Sequence, residues 1–439
     1  MPNQNPFPFG KEVITQLCRE LNISSLATCT IRQIVQLVNQ LQKKYDVEFI
    51  RTEMGVPGLN APQAAIRAER EALQNGVASI YPPIEGIPAL KEELAKFAKL
   101  FIDINISEES CIPTVGSMQS SFVTFMVGNR RERYKDTTLF IDPGFPVHKR
   151  QIAIQGMKYQ NFDIYDFRGD KLRDKLESYL RTGSISTILY SNPNNPAWIC
   201  LTEKELKIIG ELATKYDVIV MEDMAYFGMD FRKDYGKPGI PPYQPTVARY
   251  TDNYVLLFSS SKIFSYAGQR IGSLLISDQL FHRRYPELLK TFNTDEFGPA
   301  ILQDAMYATT AGTAHSPQAA LAEMLREINE GEYDFVKVLR EYEQRASVMK
   351  KLFVENGFQL VYDQDEENEL ADGFYFTISY PGLSGEELLE KLIRNGISAI
   401  TLDTTGSSRS EGLRICVSHT AMDRMDELKK RLETVTSYQ

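Results

Sequence analysis

The sequence predicts an α/β fold, with a largely parallel sheet covered by helices on both faces and a smaller α+β domain beside it. Three observations point there. Between about residues 110 and 280 short β-rich runs alternate with helical patterns, and such alternation calls for crossover connections between parallel strands. The runs are apolar almost throughout, as strands buried on both faces are. Beyond about residue 320 the pattern changes to a long charged amphipathic stretch, a strand-like run and a further helix.

In chain order, residues 1 to about 45 carry two helical patterns, expected to return to the small domain or to pack on a partner subunit. Five runs then read as buried strands: Thr137–Ile141, Ser186–Tyr190, Asp217–Met221, Tyr254–Phe258 and Ile271–Ile276. A helix is signalled between the second and third. Thr202 and Glu205 form a capping box, and Leu206, Ile208, Ile209, Leu212 and Ala213 form its apolar stripe. Ser316 and Pro317 are expected to cap and open another helix. The charged stretch runs from about Glu332 to Glu355, and Gly373–Ser379 follows as a strand. A last helix has Ser384 as N-cap, Glu387 at N3 and Gly396 as its stop. The boundaries expected are residues 1–58 for an N-terminal helical arm contributing to the small domain, 59–320 for the large domain and 321–439 for the small one.

At 439 residues and 43% apolar content the chain can bury a sizeable core. A net charge of -9 argues against a general binder of nucleic acid or anionic membrane. No run approaches the roughly 18 apolar residues of a membrane span. The start, Met1 to Phe9, has neither a basic region nor an apolar one, so no signal peptide is expected. Cys18, Cys29, Cys111, Cys200 and Cys416 are odd in number and scattered, and His148, His282, His315 and His419 lack ligand spacing. The expectation is a soluble cytoplasmic protein with reduced thiols, no metal site, and no nucleic-acid or membrane partner.

Chemistry concentrates in the run from Phe258 to Ser273. Lys262 follows three serines, Ser259, Ser260 and Ser261, and precedes Arg270 and Gly272. A lysine delivered off a strand end into hydroxyls and a guanidinium suits an anionic, aldehyde-bearing cofactor: the amine can form a Schiff base, and the other groups can hold a phosphate. Further candidates lie just beyond other strand ends, where open α/β sheets bind ligands. They are the segments Asp142 to His148, Ser191 to Trp198 and Glu222 to Tyr226. The earlier turn Pro113 to Gln119, with Gly116, Ser117 and Met118, opens a helix and could cup a phosphate with free backbone N–H groups.

In this order, over roughly Gly55 to Val417, these segments resemble the fold-type I pyridoxal-phosphate enzymes, and most closely the class I/II aminotransferases. The resemblance implies a mostly parallel seven-stranded sheet, pyridoxal 5'-phosphate as cofactor, and an aminotransferase working on an L-α-amino acid and a 2-oxo acid by ping-pong half-reactions. It implies that Lys262 carries the cofactor, and that Ser259, Ser261 and Arg270 hold its phosphate, with Ser117 and Met118 forming the cup. Asp223 then faces the ring nitrogen, Tyr226 and Asn195 hydrogen-bond the ring hydroxyl, Phe145 stacks on the ring, and His148 supports Asp223 from behind. Arg414, in Gly412 to Val417, matches the clamp for the substrate α-carboxylate, with Gly55 near it. Tyr81 matches a tyrosine that reaches the neighbouring subunit's phosphate, which implies a homodimer.

The sequence departs from the family pattern at two places. The usual Asn-Pro-x-Gly turn reads Asn195-Pro196-Ala197-Trp198, so the turn either avoids positive φ or strains the chain's single tryptophan, which is expected near the cofactor pocket. The loop Leu402 to Glu411 differs from the one that shapes the substrate pocket in many relatives, so no particular substrate carries over; Arg409 reads as a solvated loop arginine, with a second carboxylate as the alternative. Two other functions stay open: a lyase or decarboxylase on the same scaffold, and a cofactor-sensing regulator, suggested by the helical stretch from Lys11 to Tyr45.

Overall fold

In the computed structural model residues 7–437 are described, and the chain divides into two compact units. One comprises Leu59–Pro193 and Cys200–Leu339. The other comprises the residues up to Gly58, Asn194–Ile199 and the residues from Arg340 onward.

The first unit is built on seven strands: β1 (Cys111–Thr114), β2 (Thr137–Asp142), β3 (Lys158–Asp163), β4 (Ile185–Ser191), β5 (Ile219–Asp223), β6 (Tyr254–Ser259) and β7 (Gly272–Ile276). Their order across the sheet is β1-β7-β6-β5-β4-β2-β3, and every neighbouring pair is parallel except the two made by β7. The mostly parallel seven-stranded sheet is therefore present. β2, β4, β5, β6 and β7 are buried along their whole length, which is why unbroken apolar runs mark them.

The two edge strands escape the sequence reading for physical reasons. β1 contains Pro113, tolerated because an edge strand need not donate on both sides. β3 exposes Lys158, Tyr159, Gln160 and Asn161, so no apolar run announces it. β5 starts at Ile219 rather than Asp217, because Asp217 adopts φ 50 and closes the preceding helix. That helix, Glu203–Tyr216, has its Thr202–Glu205 capping box, and Glu205 also takes the Arg168 guanidinium at 2.7 Å.

The helix expected to open at Ser316 runs His315–Asn329 with Ala314 at its N-cap. Ser316 therefore lies inside the helix and does not cap it; its hydroxyl donates to Glu69 Oε1 at 3.2 Å. This helix packs on Gln63–Gln74 and Pro88–Ile102, so it belongs to the first unit, and the second resumes at Arg340 rather than near residue 320. On the helix Pro88–Ile102 the buried Lys91 ammonium donates to the carbonyls of Cys111 (2.7 Å), Glu85 (3.0 Å) and Glu109 (3.3 Å). Under the sheet, Val123 and Phe125 of the helix Gly116–Gly128 join Met221, Leu257 and Leu274 in one core. Each such side chain contributes roughly 1.5–3 kcal/mol on burial.

The second unit contains β8 (Gln359–Leu360), β9 (Tyr375–Ser379), β10 (Ile400–Thr401) and β11 (Leu413–Cys416), an antiparallel sheet in the order β10-β11-β9-β8. Its helix Gly385–Arg394 has the Ser384–Glu387 capping box and is followed by Gly396 at φ 75. The helices Lys11–Glu20 and Ile31–Tyr45 are fastened to this same unit. Glu386 Oε1 accepts from Ser25 Oγ (2.7 Å) and Leu26 N (2.8 Å), and Arg394 Nε donates to the Phe9 carbonyl at 2.8 Å. No helix among the described residues is long and apolar enough to cross a membrane.

Candidate active site

Strand direction decides where the chemistry of the first unit collects. β1 and β6 each run antiparallel to β7, so the carboxyl ends of β1, β2, β4, β5 and β6 share one sheet edge with the start of β7. That edge brings Ser117 and Met118 (after β1), Phe145 (after β2), Asp223 (ending β5), Tyr226, Ser259, Ser261 and Lys262 (at the end of β6), and Arg270 (before β7) to one side of the sheet.

One part of this edge is a cradle made by missing side chains. The helix Gly116–Gly128 begins without a side-chain cap, and the Val115 N–H donates to Gln119 Oε1 at 2.8 Å. Gly116 has φ 66, and a Cβ there would run into the Arg270 guanidinium. Gly272 pairs with both Thr114 and Ser259; a Cβ on it would lie 2.7 Å from the Phe258 carbonyl and 2.9 Å from the Ser117 nitrogen. Arg270, at φ 51, donates through Nη1 to Ser261 Oγ at 3.3 Å and to the Ala267 carbonyl at 2.9 Å. Ser259 caps the short helix Ser260–Ile263 that bears Lys262. A helix N-terminus, a guanidinium and serine hydroxyls brought close by glycines are groups of the kind that suit a phosphate dianion.

Beside the cradle lies a buried acid. Asp223 accepts from the Ala225 N–H at 3.1 Å; burial pushes its carboxyl up to about 6, while the positive charge of Lys262 pulls the other way. Lys262 itself is half-buried, and Tyr226 is buried. The rings of Phe145 and His148 meet edge to face, 5.6 Å apart at 88°. Burial, with a smaller push from Lys149, lowers His148 to about 4, so the imidazole is neutral, and its buried Nδ1 has no hydrogen-bond partner. The residue before Asp223, Glu222, points to the opposite sheet face by strand alternation. It is buried, accepts from Thr246 Oγ1 (2.7 Å) and Val247 N (3.0 Å), and burial pushes it up to about 7. The sequence reading passed over Glu222; an acid one residue from another at the end of an apolar strand was the available signal.

The second unit gathers a different set around Arg414, which is only 1% exposed. Its Nη1 donates to Asn195 Oδ1 at 3.2 Å, its Nη2 to the Glu53 carbonyl, and its Cζ sits 4.5 Å from the centre of the Tyr375 ring. Gly55 is close by: a Cβ on it would overlap the Tyr375 hydroxyl. Trp198 is fully buried at φ 64, so the turn adopts the glycine conformation with a tryptophan in it. That costs about 1–2 kcal/mol, which its packing offsets. Its ring lies 6.1 Å from Tyr375 and fills the place of a Cβ on Gly373. Glu53, Tyr375 and Gly373 were not among the residues singled out from sequence, because their contacts join segments remote from one another along the chain. Arg409 lies over the Tyr362 ring at 5.2 Å, beside Ser408. Tyr81, in the first unit, is 89% exposed.

Comparison with known proteins gives a consistent result. The family model for aminotransferase class I and II matches residues 53–432. The chain is 24% identical over 392 residues to a probable aspartate aminotransferase of Methanocaldococcus jannaschii, covering 88% of this chain and 90% of that protein. It is likewise 24% identical over 418 residues to the aromatic-amino-acid aminotransferase 2 of Thermococcus litoralis, covering 91% of this chain and 97% of that one. Among solved structures, a single mutant of the Thermus thermophilus aspartate aminotransferase shares the fold at a TM-score of 0.75 and 18% identity, covering 93% of this chain and 96% of that one.

Proposed function

The chain belongs to the class I and II aminotransferases, enzymes that use pyridoxal 5'-phosphate, and on that premise we propose that it moves an amino group from an L-α-amino acid to a 2-oxo acid in two ping-pong half-reactions. The observation that carries the reading is the placement of Lys262 and Asp223 at the ends of adjoining strands, beside a glycine cradle with Arg270 across it. When bound, pyridoxal phosphate supplies an aldehyde that condenses with amines and a ring that draws off the electron pair released at the substrate Cα.

The residues named above take the remaining tasks. Ser117, Met118, Ser259, Ser261 and Arg270 hold the phosphate, and Phe145 supports the ring. Asp223, ionised above about pH 6, keeps a proton on the ring nitrogen. Neutral His148 packs behind Phe145 and leaves that charge intact. Tyr226 and Asn195 hydrogen-bond the ring hydroxyl. The Lys262 amine takes the proton from the substrate Cα as general base and, as general acid, would deliver it to the carbon of the cofactor's former aldehyde rather than back to Cα. Arg414 receives the substrate α-carboxylate as a bidentate fork, next to Gly55, and so orients the Cα–H bond for removal.

Single amino donors supplied with 2-oxoglutarate or pyruvate should each yield the matching 2-oxo acid together with glutamate or alanine. Release of ammonia with no new amino acid would overturn the reading in favour of elimination. The proposal extends to a homodimer in which exposed Tyr81 reaches the neighbouring phosphate, so the active species should sediment at twice 49.9 kDa. A fully active monomer would contradict that extension.

A further inference from the structure

We propose that Trp198 is a positioning residue for Arg414, acting through Tyr375, and that it sets how tightly the chain holds the carboxylate of its substrates. This rests on the reading of Arg414 as the carboxylate clamp, and it adds a residue at a position where the family pattern has glycine.

Conformation gives the first argument. Trp198 occupies φ 64, a region that L-residues avoid and glycine enters freely, yet its side chain is wholly buried. A bulky residue kept in that conformation signals that its side chain has work to do there. The indole lies where a Cβ on Gly373 would be, two residues before Tyr375, and meets the Tyr375 ring at 67° with centroids 6.1 Å apart.

Tyr375 is thereby held at two ends. Trp198 packs against its ring, and its hydroxyl sits in the space that Gly55 leaves open. The face of that ring covers the Arg414 guanidinium at 4.5 Å. The turn Asn194–Ile199 thus grips Arg414 twice, directly through Asn195 Oδ1 at 3.2 Å and indirectly through Trp198 and Tyr375. The turn is itself closed: Asn194 N donates to the Ile199 carbonyl at 2.9 Å, Trp198 N to the Asn194 carbonyl at 3.0 Å, and Ala197 N to Asn194 Oδ1 at 3.0 Å. A guanidinium binds a carboxylate through two N–H groups only when its plane is correctly turned. With the indole removed, the Tyr375 ring gains room to swing and the plane of Arg414 is no longer fixed.

The test compares Trp198→Gly, Trp198→Phe and Arg414→Lys in the cofactor-loaded enzyme. Glycine suits φ 64 but leaves a hole, so Trp198→Gly should raise KM for both amino acid and oxo acid by about tenfold, with kcat changed less than about threefold. Free indole should enter the apolar hole and lower KM again, and Trp198→Phe should fall in the middle. Cofactor absorbance and melting temperature are followed alongside. Losses that track cofactor release or melting, with no rescue by indole, overturn the proposal, as does a Trp198→Gly variant with unchanged KM. Arg414→Lys separates the two readings. If it leaves both KM values unchanged, the carboxylate assignment fails and this one with it; if it raises them while Trp198→Gly does not, only the role of Trp198 falls.

Discussion

Arg270 and Arg414 each present a guanidinium in a prepared setting, and glycines serve both, but main chain does most of the enclosing at the first and side chains at the second. Around Arg270 groups come close because two side chains are absent: a Cβ on Gly116 would run into the guanidinium itself, and one on Gly272 into the Phe258 carbonyl and the Ser117 nitrogen. Around Arg414 the setting is filled, with Tyr375 over the guanidinium, Trp198 against Tyr375, and Asn195 and Glu53 taking N–H groups. The difference teaches how each should fail. A cradle is lost when one atom is added, whereas a packed wall loosens by degrees as atoms are removed.

The largest effect is expected at a residue that belongs to neither cradle nor wall. Lys262→Ala should lower turnover by roughly 10²–10⁴-fold and abolish any visible absorbance band that borohydride bleaches in the parent. A variant that kept both would remove the chemistry that the two settings serve. Next comes the cradle: Gly272→Ala should weaken cofactor binding by roughly a hundred- to a thousandfold in a titration of the cofactor-free protein, because both atoms in its way are main-chain atoms. Unchanged affinity would show that the cradle yields like a wall.

Glu222 sharpens the comparison, being a fully packed carboxyl in the unit that holds the cradle. Its folded value, pushed up to about 7 by burial, exceeds the ordinary carboxylate value, so from about pH 4.5 to pH 7 the folded chain keeps a proton that the unfolded chain has lost. Stability must then fall as pH rises through that window. Glu222→Gln should remove the slope and gain roughly 2–3 kcal/mol above pH 7 in urea melts of the cofactor-free protein. Parallel pH profiles for parent and variant would show that the carboxyl is not confined as described. The smallest effect belongs to Thr202→Ala, which removes a helix cap and touches neither guanidinium; about 1 kcal/mol of stability should go, with substrate KM unchanged.

What the sequence made legible was local. β2, β4, β5, β6 and β7 announce themselves because burial on both faces leaves no polar residue to break the run, and the capping boxes at Thr202 and Ser384 span four residues each. β3 was silent since four of its six residues face solvent. Ser316 misled because its hydroxyl serves Glu69 on the neighbouring helix Gln63–Gln74, remote in sequence, rather than its own backbone. The motifs at strand ends could be read along the chain. The surroundings of Arg414 could not, since they join Glu53, Asn195, Tyr375 and Arg414, and no spacing rule connects those positions.

The ammonium of Lys91, shared among the carbonyls of Glu85, Glu109 and Cys111, does what a bound potassium ion does in other loops. Because this cation is tethered to the helix Pro88–Ile102, dialysis cannot strip it and sodium cannot compete with it. The junction of that helix with β1 is therefore indifferent to the choice of monovalent salt. Alkali is its weak point, since burial lowers the basicity of the amine and a neutral amine brings one fewer hydrogen than three oxygens require.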